Sequence, residues 1–476
     1  MIGIPGRNSL SIPGRAAWLL TLLLTVGAVA DGGPVVASGP ETGRVARHLA
    51  AVHAGPGPEH PLLWRLYEGT QVELHEQASG SDRAAWRRVR LWNSHDGWLE
   101  AAAVSFEPYP PPPPSSGGAA GGACRSAPSA QPGVVHQLSA PAEVVVPTAL
   151  HDAPDGGAVL GELPASTSAT VDAWAVGADG RVRYRVDGGW AAPGAVALIA
   201  ADPPTRQVAG RPIVAPLSGV GMWFVPDSRE YGTAAGSRVA QAARDNGLSH
   251  LYVEVATSTG GFWGARWLDE LLPAAHSAGV RVIGSVYACL NDVAADLELS
   301  LEVARYRTPD GLALDGLTAD IEETLVAENV QAYGELLRHH LGDYYLMVAT
   351  TYPPESWFAP RYPWPALARS WNAVAPMAYW RQMESRPFTA SEVYAYTQRN
   401  LAKLHALIGR TDMPLEMLGQ LFEMGRPLLL GPDPPTAAEV EAAAAAARDA
   451  GAVGISFFDW TRATPAHWQA LANFRW

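Results

Sequence analysis

From about residue 218 to residue 476 the chain alternates between two textures, and that alternation constrains the fold more than any other feature. Apolar, β-rich runs occur at residues 219–226, 250–257, 281–288 and 314–322, then at 345–353, 371–380, 414–423 and 452–460. Helix-like segments lie between them, among them residues 237–246, 267–278, 326–340 and 436–450, and Gly247, Gly279 and Gly451 stand where such helices stop. Eight strands with helical crossovers over about 260 residues predict an α/β fold, a (β/α)8 TIM barrel. In that architecture chemistry collects at the C-terminal ends of the strands.

The fourth run, Leu314-Asp315-Gly316-Leu317-Thr318-Ala319-Asp320-Ile321-Glu322-Glu323, ends in carboxylates spaced two apart. Side chains on a strand alternate with period 2, so Thr318, Asp320 and Glu322 share one face and Leu317, Ala319 and Ile321 the other. One strand thereby brings two acids into a single space. Coupled carboxyls in a partly desolvated site take different pKa values, as acid catalysis at a glycosidic bond requires.

The remaining strand ends extend this mouth. Trp223 and Asp227 come from the first strand, Glu254 and Thr257 from the second, Tyr287 and Asn291 from the third. Thr351 and Tyr352 come from the fifth, Met377, Tyr379, Trp380 and Arg381 from the sixth, Gln420 and Glu423 from the seventh, Asp459 and Trp460 from the eighth. Acids alternating with aromatics suit a sugar, whose hydroxyls take hydrogen bonds while its C–H faces lie on rings. Competing chemistries lack their motifs: the sequence has no Walker A loop, no Gly-x-Gly-x-x-Gly opening a helix, no H-E-x-x-H and no nucleophile elbow. His339 and His340 adjoin on a helix and point apart, and His250 falls at a strand start, the wrong end for catalysis. No metal and no organic cofactor is implied.

Upstream, Arg7 and Arg15 precede an apolar run at residues 16–30 that ends in Ala28-Val29-Ala30, which reads as a secretory signal peptide over residues 1–30. An uncleaved anchor is the alternative; the run is shorter than the roughly 20 residues of a spanning helix. The expectation is a secreted or cell-wall-associated protein with no stable membrane insertion after cleavage. A net charge of −13 argues against a nucleic-acid partner, and none is expected. Pro/Gly/Ser-rich residues 108–138 read as a linker, and residues 201–217 as a second, milder one. Cys124 lies in the first and Cys289 in a core strand, so no disulfide between them is expected.

The linkers set off units at residues 42–107 and 139–200. The first carries Trp86-Arg87-Arg88-Val89-Arg90 and then Asp96-Gly97-Trp98; the second carries Val182-Arg183-Tyr184-Arg185-Val186 and then Asp187-Gly188-Gly189-Trp190. Short alternating strands with Asp-Gly turns predict small antiparallel barrels. The pattern resembles bacterial SH3-like domains, which implies attachment to cell-wall peptide or glycan, the second copy being the more divergent.

The barrel at residues 218–476 resembles the family 18, chitinase-like, glycoside hydrolases. Their strand-four pattern D-G-x-D-x-D-x-E is followed by Asp315-Gly316-Leu317-Thr318-Ala319-Asp320-Ile321-Glu322 except at Thr318. Their strand-six Met-x-Tyr-Asp is met by Met377-Ala378-Tyr379-Trp380, with Trp380 in place of the Asp, and their strand-eight Trp by Trp460. The resemblance implies a polysaccharide substrate containing N-acetylhexosamine, peptidoglycan or chitin-like. Glu322 would be the general acid, Asp320 would orient the substrate's acetamido group, Tyr379 would hydrogen-bond it and Trp460 would floor the pocket. Asp315, Trp223, Tyr287, Tyr352, Met377, Trp380, Gln420, Glu423 and Asp459 complete the expected substrate contacts. Two alternatives stay open: a non-catalytic cell-wall or carbohydrate-binding protein with a degenerate barrel, and a retaining glycosidase using Glu322 with Glu423.

Overall fold

The computed structural model describes residues 41–45, 50–66, 71–81, 83–90, 96–105, 124, 131–200, 206–208, 210–226, 235–356, 359–383, 388–422 and 434–476. The expected signal peptide, most of the first linker, Asp227 and Glu423 lie outside these residues. Among the described residues no helix is long and apolar enough to cross a membrane.

The alternating textures form the expected barrel. Its strands are β1 (Gly219–Phe224), β2 (His250–Thr257), β3 (Arg281–Tyr287), β4 (Gly316–Asp320), β5 (Met347–Thr351), β6 (Ala373–Pro376), β7 (Glu416–Gln420) and β8 (Gly454–Phe458). They are parallel in the order β6-β5-β4-β3-β2-β1-β8-β7, and parallel bridges Val374–Leu415 and Met377–Leu418 join β6 to β7. Crossover helices are α1 (Ala235–Asp245), α2 (Ala265–Ser277), α3 (Val293–Arg305) and α4 (Ala327–Leu341), then α5 (Trp380–Met383), α6 (Ala390–Ile408), α7 (Ala437–Asp449) and α8 (Pro465–Asn473). Among the described residues the crossover after β5 holds only short 3-10 turns at Ala359–Arg361 and Trp364–Leu367. Thr389, Thr436 and Thr464 start α6, α7 and α8 as capping boxes, each side chain accepting from the backbone N–H three residues on.

The strands are buried on both faces, as a parallel sheet wrapped by helices requires. Inside the barrel, near the strand starts, a polar cluster replaces the usual aliphatic layer. His250 Nε2 contacts Glu416 Oε1 at 2.8 Å and the Tyr252 hydroxyl donates to Glu416 Oε2. Gly221 makes room for this ring, since a Cβ there would lie 2.1 Å from His250 Nε2. Above it the Trp223 ring stacks on Tyr252 at 4.8 Å and its Nε1 donates to Ser456 Oγ.

Residues 213–217, expected to be linker, close the base of the barrel. Ile213, Val214 and Leu217 are buried in one cluster with Trp223, Tyr252 and Ile283. Preceding them is a short hairpin, Gln207–Val208 with Arg211–Pro212. Composition marked the segment as mild and Pro-containing, and could not show that its few apolar residues fill the barrel's open end.

The two upstream units are antiparallel sheets of seven strands each. Numbering each unit's strands in chain order, both run 3-2-6-5-4-1-7, so the repeated sequence pattern is a repeated topology. The second sheet begins at Val135, inside the expected first linker. Its strand Val182–Val186 buries Val182, Tyr184 and Val186 and leaves Arg183 and Arg185 partly exposed, the period of 2 read from the sequence. The following Asp187-Gly188 turn has φ of 51° and 79°, both in the left-handed region that a type I′ hairpin demands.

This second sheet is seated on α4. Val182 N donates to Asn329 Oδ1 at 3.1 Å, Leu198 N to Glu335 Oε2 at 3.1 Å, and the Tyr184 hydroxyl to the same oxygen at 3.2 Å. Burial pushes the Glu335 carboxyl up to about 7 against the lowering effect of these donors.

Two outcomes follow for stability. Gly221→Ala should destabilise the fold by roughly 1–3 kcal/mol through the clash with His250, read as a lowered denaturant midpoint with unchanged slope. Glu335 holds a proton in the folded state that the unfolded chain releases near pH 4, so its contribution to stability is present below about pH 4 and is lost as pH rises through about 7. Thermal unfolding between pH 5 and 8 should therefore fall less steeply in Glu335→Gln than in the wild type.

Candidate active site

The inward face of β4 carries Thr318 and Asp320, and the chain holds the same alternation for one more step to Glu322. Backbone bonds keep that extension in place: Ala288 N donates to Asp320 O and Ile321 N to Thr350 O, each at 2.9 Å. The Tyr362 hydroxyl, from the turns after β5, donates to Ile321 O at 2.8 Å. All three inward side chains are buried. Thr318 Oγ1 is engaged with Thr350 Oγ1 at 2.8 Å and Val348 O at 3.2 Å, so its hydroxyl is spent within the sheet.

Asp320 and Glu322 are hydrogen-bonded to each other, and both carboxyls are pushed up. Burial is the largest cause for each. The next for Asp320 is the negative charge of Glu254 on β2; the next for Glu322 is the charge of Asp320. Burial and their mutual repulsion therefore leave the pair sharing a proton, with Glu322 held well above the ordinary carboxyl value. Asp320 Oδ1 is buried and accepts no hydrogen bond among the described residues.

Tyrosines line the space around this pair. The Tyr352 hydroxyl bonds Glu322, and the Tyr287 hydroxyl donates to Glu323 Oε1 at 3.0 Å. Tyr379, at the end of β6, feels the charges of Glu322, Asp320 and Asp459. Burial first, then these carboxylates, push all three phenols far above their ordinary value, so they stay neutral donors. Tyr379 also belongs to an aromatic group with Phe422 at 5.1 Å and Phe458 at 6.3 Å, and Phe458 lies 6.2 Å from Trp223.

The structure thus brings Asp320, Glu322, Tyr287, Tyr352 and Tyr379 together, with Met377 buried beneath them. Other expected contacts fall elsewhere. Asp315 precedes β4 at its opposite end, where His276 Nε2 at 2.9 Å, Arg281 Nη1 at 3.0 Å and Val282 N at 2.9 Å surround it. Burial would raise its pKa, but these partners outweigh it and the carboxyl is lowered. Trp380 is fully buried in the helix layer, donating through Nε1 to Glu439 Oε2 at 2.8 Å.

Trp460 likewise packs outside the barrel, edge-on to Phe224 at 5.9 Å and Trp468 at 4.8 Å. The reason is that β8 stops at Phe458 and a 3-10 turn follows at Trp460–Arg462, capped by Asp459, so the inward position falls to Phe458. Its spacing of two from Ser456 was the available signal. Trp223 is core, and Gln420 is occupied by Arg381 N and Phe422 O. Among the described residues no cluster of three or more His, Cys, Asp or Glu is placed to hold a metal.

The expectation of unpaired cysteines is overturned: Cys124 and Cys289 form a disulfide across 165 residues, with Cα atoms 5.4 Å apart. Cys289 follows β3, and Cys124 packs against it and Tyr287. Cys124 N donates to Glu323 Oε2 at 3.3 Å and its carbonyl accepts from Asn291 Nδ2 at 2.7 Å. A chain that cannot form its own core can still reach a distant partner, and sequence separation alone did not reveal that partner. Alkylation of the denatured, unreduced protein should add no group, and two after reduction, as read by intact mass.

No family model matches the chain, and no curated protein does. Among solved structures it is similar to the spore cortex-lytic enzyme SleL of Bacillus cereus, at 12% identity over 54% of this chain and 75% of that one, TM-score 0.38. It is also similar to a GH18 chitinase from Cycas revoluta in complex with (GlcNAc)3, at 14% identity over 54% and 98%, TM-score 0.39. A third similar structure is a chitinase-like agglutinin from Robinia pseudoacacia, at 13% identity over 53% and 98%, TM-score 0.39.

Proposed function

We propose that this chain is an exported glycoside hydrolase that cleaves a polymer containing N-acetylhexosamine, peptidoglycan or chitin-like. The observation that carries the reading is the buried, hydrogen-bonded pair of Asp320 and Glu322 at the C-terminal end of β4, both carboxyls held above their ordinary values. The strand-four motif that resembles family 18 supports it.

In this reading Glu322 gives its proton to the glycosidic oxygen as the bond from that oxygen to the anomeric carbon breaks. The carbonyl oxygen of the substrate's own acetamido group attacks the same carbon, closing a positively charged ring. With the pair's one shared proton gone to the leaving oxygen, the Asp320 carboxylate orients the acetamido N–H and stabilises that charge, and Tyr379 donates to the acetamido oxygen. Water then attacks the anomeric carbon as the bond from that carbon to the acetamido oxygen breaks, its electron pair returning to the acetamido group, and Glu322 takes the water's proton, which closes the cycle. This substrate-assisted route needs only one general acid, in contrast to the two-carboxylate scheme. The shared topology of the two upstream sheets supports reading them as SH3-like modules that hold the enzyme to the wall and raise its local concentration.

The test is release of new reducing ends from purified peptidoglycan and from chitooligosaccharides by the full-length protein. Glu322→Gln should lower kcat by about 10²–10⁴-fold with KM little changed, the range for a positioned general acid. Wild-type activity should persist at neutral pH and fall as pH rises through the elevated pKa of Glu322. Binding without cleavage by both proteins would overturn the enzymatic reading in favour of a binder.

A further inference from the structure

We propose that Glu254 of β2 is a positioning residue for the acid pair, supplying from a second strand the negative charge beneath Asp320 that Thr318 does not supply on β4. The inference rests on the reading of Asp320 and Glu322 given above.

Register carries the argument. Glu254 is opposite Ser285, and Ser285 is opposite Thr318, so the three share one row across β2, β3 and β4; in the row above, Tyr287 is opposite Asp320. Glu254 has the same parity as Tyr252, which faces the barrel interior, and it is only 3% exposed. Adjacent strands lie about 4.8 Å apart, so roughly 10 Å separates the Glu254 and Thr318 backbones. Ser285 between them is small, and a glutamate side chain spans much of that gap. Thr318 cannot contribute charge, because a hydroxyl committed to Thr350 and Val348 stands there.

The electrostatics agree with this placement. After burial, Glu254 is the largest influence holding the proton affinity of Asp320 up. Among the described residues the other groups facing the pair bring no positive charge. Glu323 and Asp459 are acids, and Tyr287, Tyr352, Tyr362 and Tyr379 are phenols pushed far above their ordinary value by burial. Beneath Glu254 lie Tyr252 and the His250–Glu416 pair, already bonded to one another. Glu254 therefore sets how tightly Asp320 and Glu322 together retain a proton, and it does so without touching substrate.

The experiment is the pH profile of kcat for full-length wild type, Glu254→Gln, Glu254→Asp and the double variant Glu254→Gln/Thr318→Asp. Removing the charge should move both limbs to lower pH by roughly one to two units, the effect of a unit charge about 6–12 Å away at an effective dielectric of about 20. Glu254→Asp should keep the wild-type limbs, and the double variant should move them back towards it. Unmoved limbs in Glu254→Gln would overturn the proposal. If the wild type cleaves nothing, the functional reading fails separately, and carboxyl ¹³C NMR titration of Asp320 and Glu322 decides: a downward shift in Glu254→Gln supports the role, and an unchanged titration overturns it. If Glu254→Gln fails to fold by circular dichroism, Thr318→Asp alone should raise both titrations, and no rise overturns the proposal.

Discussion

Two carboxyl groups buried within hydrogen-bonding reach of one another share a proton, because ionising both would place like charges together out of water. Asp320 and Glu322 are held in that condition by the period of a single strand and by the helices that exclude solvent from it. The arrangement of the mouth follows from the same constraint. Tyr352 can donate to Glu322 because burial keeps its phenol neutral, and Tyr287 can do the same for Glu323. Ala288 N, just past β3, and Thr350 O on β5 bond the backbone at Asp320 and Ile321 and so carry the extended chain on to Glu322.

The repeating period of strand and helix made the barrel legible, since each element needs only local patterning to be recognised. The acid pair was legible for the same reason: residues two apart on a strand share a face. What escaped depended on where a strand ends. Trp460 and Phe458 share the inward parity of β8, but a turn at Asp459 carries Trp460 out to Phe224 and Trp468. Trp380 opens a helix rather than extending β6, which commits its ring to Glu439. Asp315 stands at the start of its strand, and the motif that contains it does not reveal that it bonds inter-strand partners instead of sugar.

Contacts between distant segments were the second blind spot. The Cys124–Cys289 disulfide joins parts of the chain whose compositions suggest unrelated roles, a flexible tract and a core strand. Its effect is local to the mouth: the Cys124 amide and the Tyr287 hydroxyl both hold Glu323, so a segment outside the barrel takes part in arranging the loop after β4. The middle sheet is tied to the barrel in a comparable way through Asn329 and Glu335 of α4.

Ile213, Val214 and Leu217 lead the chain into the barrel by way of its own floor. The unit that folds is therefore longer than the unit that reads as a barrel. A gene fragment starting at residue 218 would encode every strand and every acid of the mouth, yet would leave the ring beneath Trp223 and Tyr252 open to water. Recombination that moved this barrel onto another partner would have to carry the preceding segment with it. The modular boundary of this protein lies upstream of residue 213, within what composition alone marks as dispensable spacer.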